Sequence, residues 1–135
     1  MSRLILKLSP AERLLVNGAV IENGERRARL SILTPGANIL RLRDAIHPDA
    51  ATTPVRRVCY ALQLVLTGDA EPEEMRLQLL RRIEELSRAL TDHDSRRHLD
   101  LASDALISER YYHCLKALRA LIPREDRLLA AARRA

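Results

Sequence analysis

The chain has 135 residues, 47% hydrophobic and 30% charged, a balance that excludes an intrinsically disordered chain and suits one compact domain or two small modules. Three tyrosines, no Phe and no Trp leave an aliphatic core and exclude an aromatic base-stacking platform of the RNA-recognition-motif type. The 23 basic residues outnumber 18 acidic ones for a net charge of +5, so contact with phosphates or an acidic protein is permitted, not demanded.

Residues 1–46 alternate and turn. Leu4, Leu6 and Leu8 fall on one side of a strand, with Ile5 and Lys7 on the other. Leu14-Leu15-Val16 runs into Asn17-Gly18, and Ala19-Val20-Ile21-Glu22 runs into Asn23-Gly24. Asn-Gly accepts positive φ cheaply, so the pair of turns predicts a tight meander with a very short middle strand. Next, Arg27, Arg29 and Ser31 alternate with Ala28, Leu30 and Ile32. After the Pro35-Gly36 turn, a last strand spans residues 38–43, with Leu40 and Leu42 facing opposite to Arg41 and Arg43. Short strands with one apolar face need helices, or a second copy, to cover them.

Residues 44–52 form the joint, and the spacing beyond it is helical. Thr53 caps a helix opening at Pro54, with Val55, Val58, Cys59, Leu62, Val65 and Leu66 as its stripe and Gly68-Asp69 as its end. A second helix starts near Pro72 with Met75, Leu79, Ile83, Leu86 and Leu90, and a third follows Asp94-Ser95 with Leu99, Ala102 and Leu106. A fourth spans residues 108–122, Pro123 punctuates it, and residues 124–134 form a short terminal helix. The expected fold is α+β: a small N-terminal antiparallel β-sheet (1–46) packed with a C-terminal helical bundle (53–135), four helices with a terminal extension and no long linker.

Catalytic signatures are lacking. The glycines are isolated turn residues, so no phosphate-cradling loop exists, and His93 and His98 are off the i, i+4 spacing of two ligands on one helical face. Cys59 and Cys114 occupy apolar stripe positions, which favours buried free thiols over a metal site shared with His113. Asp92-His93-Asp94 reads as a helix boundary, and Asp100 with Asp104 lacks a nucleophile. A non-enzyme without metal or cofactor is expected. Lys7 breaks the apolar start, so no signal peptide is read, and no apolar run suits a membrane span; the expected setting is the cytoplasm.

The cations carry more. Arg26, Arg27, Arg29, Arg41 and Arg43 in the β half face only Glu22, Glu25 and Asp44 nearby in sequence. Such a row is either an ordinary solvated sheet face or a grip on an RNA backbone that needs no aromatics. Arg56-Arg57 sits in the first turn of a helix, where the dipole disfavours positive charge, so a carboxylate partner in the same chain is expected.

Three segments bear a family likeness: Thr53-Pro54-Val55-Arg56-Arg57-Val58 followed by Gln63, the stretch from Asn38 to Asp44, and the stretch from Leu106 to Ile122 with its Tyr-x-x-Leu-Lys-Ala-Leu-Arg core. With the opening Leu-x-Leu strand and the Ile21-Glu22-Asn23 turn, almost the whole chain resembles the FlbT family of flagellum biosynthesis regulators. Ser108-Glu109-Arg110 departs from the Gly-containing turn common in that family, which leaves the helix boundary there open. The resemblance implies a post-transcriptional repressor that associates with the 5′ untranslated leader of flagellin mRNA and promotes its degradation. Leu4-Ile5-Leu6, Leu15-Val16-Asn17-Gly18 and Arg43-Asp44-Ala45-Ile46 are also remotely similar to the carbon-storage regulator family of small β-sheet RNA binders, whose RNA contacts would carry to Leu4 and Arg43. The combined expectation is RNA held by Arg27, Arg29, Arg41 and Arg43 with Leu4 at the sheet edge. The helical half would recruit a flagellar regulatory or export protein, and a homodimer through sheet edges stays open. The alternative is a protein-binding adaptor or chaperone in flagellin export with only indirect effects on mRNA.

Overall fold

The computed structural model describes residues 4–134. Its β half is two small antiparallel sheets. In one, β1 (Leu4–Leu8) pairs with β4 (Ala28–Ile32); in the other, β2 (Arg13–Val16) lies between β3 (Ala19–Glu22) and β5 (Ile39–Arg41). Asn17 and Gly18 take φ of 50° and 83°, the two positive values a tight hairpin turn needs, so Val16 faces Ala19 across a two-residue loop.

Asn23-Gly24 behaves otherwise. Neither residue has a positive φ, and the meander expected from them does not continue. Instead the Asn23 Nδ2 donates to the carbonyls of Ser9 (2.8 Å) and Arg26 (2.9 Å), which lays this loop along the β1–β2 connection and delivers the chain to β1. The last expected strand is also cut short. It ends at Arg41, and residues 42–44 form a single 3-10 turn, so Leu42 and Arg43 leave the sheet.

Leu6 and Leu8 of β1 face Leu14 of β2 and Ile39 of β5 in one buried cluster. Their neighbours Leu15 and Leu40 point the other way, into the helical core. Strands β2 and β5 therefore form a middle layer, apolar on both faces, which explains the uninterrupted Leu14-Leu15-Val16 run, while β3 stays exposed at the edge. Five helices follow: α1 (Pro54–Thr67), α2 (Pro72–Ala89), α3 (His93–Ile107), α4 (Tyr111–Arg119) and α5 (Ile122–Arg134). The first four pack around one aliphatic core, and Tyr112 of α4 inserts its ring into the cluster between the sheets. The single helix expected over residues 108–122 is thus shorter at both ends, and Pro123 falls in the first turn of α5, where its missing N–H is tolerated.

The two modules are tied at several points. Gln63 of α1 accepts from the Ile46 N–H (2.8 Å) and donates to its carbonyl (3.2 Å), and Arg119 donates to the Asp44 carbonyl (2.7 Å). The N-terminus of α1 is capped from a distance: Glu125 of α5 accepts the Val55 N–H at 2.8 Å, while Thr53 accepts from Arg56. The partner expected for Arg56 is Asp126, bound through both guanidinium nitrogens at 2.6 and 3.0 Å.

Helices α1 and α3 end in the same motif. Asp69 N–H reaches the Leu64 carbonyl behind Gly68 at φ 85°, and Arg110 N–H reaches the Ala105 carbonyl behind Glu109 at φ 60°. Glycine occupies the left-handed position in one and a glutamate in the other, so Ser108-Glu109-Arg110 is a strained version of a glycine turn. Glu109→Gly relieves a left-handed cost of about 1–2 kcal/mol against a glycine entropy cost of about 0.5–1 kcal/mol. Chemical denaturation is expected to show a net gain of about 0.5–1 kcal/mol; a loss would mean that Glu109 makes a stabilising contact.

Candidate nucleic-acid interface

Arg41 closes β5 opposite Leu14 and points toward the loop that joins β1 to β2. There its Nε and Nη2 meet both carboxylate oxygens of Glu12 at 2.7 and 2.8 Å, and Nη2 also donates to the Lys7 carbonyl at 2.6 Å. Glu12 accepts the Ser9 N–H at 3.0 Å as well. Arg41 is only 7% exposed. The hydrogen bonds from Arg41 hold the Glu12 carboxyl down at about 2, and the same pairing raises the Arg41 value. The expectation that Arg41 shares an open row with Arg43 is corrected: the strand brings its guanidinium inside, where it fixes the site without facing solvent.

Arg43, on the 3-10 turn, stays half exposed with one nitrogen 3.9 Å from Glu12, a carboxylate already committed to Arg41. Arg27 and Arg29 are exposed as expected, and the register of the β1–β4 pair adds a residue that sequence reasoning passed over. Lys7 stands directly opposite Arg29 on the outer face. Like charges across a strand pair repel, and among the described residues neither has a carboxylate in ion-pair range. Alternation along β1 had already put Lys7 on this side; only the pairing register, absent from a single sequence, sets it against Arg29.

Leu4 lies apart from these cations. It sits at the far end of β1, opposite Ile32, packs onto the inner cluster, and lines a cleft of about 830 Å³ shared with Tyr111 and Tyr112. The structure thus sets Lys7 and Arg29 together at the outer face, with the exposed Arg27 just before β4 and Arg43 beside Glu12 at the same end of β1, and leaves Leu4 on the inward side. Cys59 and Cys114 are both free and buried in the helical core, and burial pushes each thiol up to about 12, a value at which thiols are inert. Among the described residues, no three His, Cys, Asp or Glu side chains converge as metal ligands, and no helix is long and apolar enough to cross a membrane.

The family model for the flagellar protein FlbT matches residues 4–129. The chain belongs to the FlbT family. It is 32% identical to the probable flagellum biosynthesis repressor protein FlbT of Caulobacter sp. (strain K31) over 126 residues, covering 93% of this chain and 95% of that one. The flagellum biosynthesis repressor protein FlbT of Caulobacter vibrioides (strain ATCC 19089) is 30% identical, with 93% and 89% covered. The probable FlbT repressor of Brucella ovis is 28% identical, with 93% and 82% covered. No solved structure matches the chain.

For this FlbT member, Arg41→Ala leaves the Glu12 carboxylate buried and unpaired, and a loss of about 3–5 kcal/mol is expected in chemical denaturation, against about 0.5 kcal/mol or less for the exposed Arg43→Ala. Because folding lowers the Glu12 value from 4.5 to about 2, the pair's stabilisation is full above pH 4.5 and drains as pH falls toward 2. A Glu12→Gln variant should lose stability at neutral pH and show a flatter acid limb; an unchanged acid limb would count against the pair.

Proposed function

We propose that this protein is a non-enzymatic repressor of flagellum biosynthesis that binds the 5′ untranslated leader of flagellin mRNA in the cytoplasm and promotes its degradation. The repressor part is supported by the likeness to the flagellum biosynthesis repressors of Caulobacter and Brucella. The RNA part rests on one observation above the rest: Lys7 and Arg29 face each other on the outer surface of the β1–β4 sheet, with the exposed Arg27 just before β4, and among the described residues neither Lys7 nor Arg29 has a carboxylate in ion-pair range. An uncompensated pair of this kind is unfavourable in the free protein and is relieved by a bound polyanion. Arginine forks hold phosphates bidentately and ask for no aromatic ring, which suits a chain whose buried Tyr112 is spent on the core.

Contact through Lys7, Arg27, Arg29 and Arg43 amounts to about four phosphates, so log K should fall against log salt with a slope of about −3 for a single strand. The Lys7→Ala/Arg29→Ala double variant changes two exposed residues and should keep the thermal transition. In a mobility-shift titration on the flagellin leader it should bind at least about tenfold more weakly, with a slope shallower by about 1.4. Leader affinity and slope equal to the wild type would remove the outer face from the interface, and no shift by wild-type protein would remove direct RNA binding.

A further inference from the structure

Helices α3 and α4 leave a second surface that the cationic sheet does not use. Leu101 and Ala105 of α3 and Ala117 and Ala120 beside them on the α4 side form the floor of a groove of about 370 Å³. Small side chains let the two helices approach closely and keep that floor shallow and apolar. Leu101 is 51% exposed, a large apolar side chain lining the groove. The rim is cationic. Arg110 and Lys116 line it with His98 and His113, no carboxylate is among the lining residues, and neither Arg110 nor Lys116 makes an ion pair among the described residues. The nearby Asp94 is engaged by Arg97 at 2.9 Å and stands 3.8 Å from His98.

We infer that this groove docks an amphipathic helix of a protein partner, with apolar side chains at i and i+3 or i+4 seated between α3 and α4 and aspartates or glutamates facing Arg110 and Lys116. A groove between two helices has the form that receives a third helix, and the partner's sign follows from the rim. A second copy of this chain is the poorer occupant because two molecules of net charge +5 repel. Nucleic acid is poorer too, since most protein–nucleic acid hydrogen bonds go to phosphate and sugar and an apolar floor supplies no donors for them. The groove is built from α3 and α4 and the cationic face from β1 and β4, so this inference stands apart from the RNA reading.

The test places a photo-crosslinking amino acid at position 101 of the full chain in its own cells and maps the joined peptide by mass spectrometry. The expected product is a segment of another protein with apolar residues at helical spacing and an excess of Asp and Glu. That segment, synthesised, should bind the purified chain. Lys116→Glu, a change at an exposed position, should weaken binding at least tenfold while circular dichroism reports an unchanged fold, and exchanging for lysine the one peptide acid that faces position 116 should restore it. The Lys7→Ala/Arg29→Ala variant should keep the crosslink. A crosslink to a second copy, to RNA or to a basic segment would overturn the inference, as would no crosslink or full affinity in Lys116→Glu.

Discussion

The bond between Glu12 and Arg41 is the constraint on which the β half depends. Two opposite charges are taken almost out of water, at a desolvation cost that only a complete set of partners offsets. That set is present: both carboxylate oxygens take guanidinium hydrogens, Ser9 donates to one of them, and the Lys7 carbonyl takes another arginine hydrogen. Its members come from three pieces of chain: Lys7 near the end of β1, Ser9 and Glu12 in the β1–β2 loop, and Arg41 at the end of β5. A slip in the pairing of β5 with β2 would turn Arg41 to the wrong face and strand Glu12 inside, so the ion pair selects one register among several that the apolar pattern alone would tolerate. It also decides which cations remain outside. With Arg41 withdrawn, the carbonyl of Lys7 is anchored while its ammonium is left opposite Arg29.

Tyr112 couples that arrangement to the helices. Its neighbours on α4 pack into the helical core, while its own ring fills the space between the two sheets. Leu15 and Leu40 make the reverse crossing from the sheet into the bundle. At the other end of the bundle, Glu125 supplies an acceptor for the Val55 N–H from 70 positions away, with Asp126 holding Arg56. A carboxylate at a helix N-terminus is favoured by the dipole, and it compensates the two arginines that α1 carries in its first turn. Neither half is therefore covered by its own residues alone.

What could be read from the sequence was whatever is local. The apolar stripes of α1 and α2, the Asn17-Gly18 hairpin, the cap at Thr53, and the need of Arg56 for a carboxylate all follow from spacings of a few residues. What could not be read is set by distant pairing. Asn23-Gly24 looks like Asn17-Gly18, yet Asn23 bonds to Ser9 and Arg26 instead of turning the chain. Arg41 and Arg43 look like one exposed row, yet the strand stops between them and Glu12, 29 residues earlier, draws one inward. The opposition of Lys7 and Arg29 needs the β1–β4 register, 22 residues apart in the chain. Family likeness was legible because it rests on segments that the fold uses at its joints, including the Thr53-Pro54-Val55-Arg56 cap and the Tyr112 helix.

The shortage of aromatic rings then limits how the proposed interface reads its target. The ring that lies in the β core is Tyr112, and the outer face of the β1–β4 sheet presents Ile5, Lys7, Arg29 and Ser31. Such a surface measures the spacing and shape of phosphates; it does not stack bases, and phosphate contacts carry no sequence information by themselves. A repressor that acts on one message among many, as proposed for this protein, would obtain its selectivity elsewhere. A folded leader whose phosphates match the cationic face is one source, since shape is read without base contacts. A partner bound to the helical half is another, because joining two weak contacts on one particle multiplies their selectivity. The α3–α4 groove lies on the module that Tyr112 ties to the sheet, so a partner seated there would be held rigidly relative to the cations.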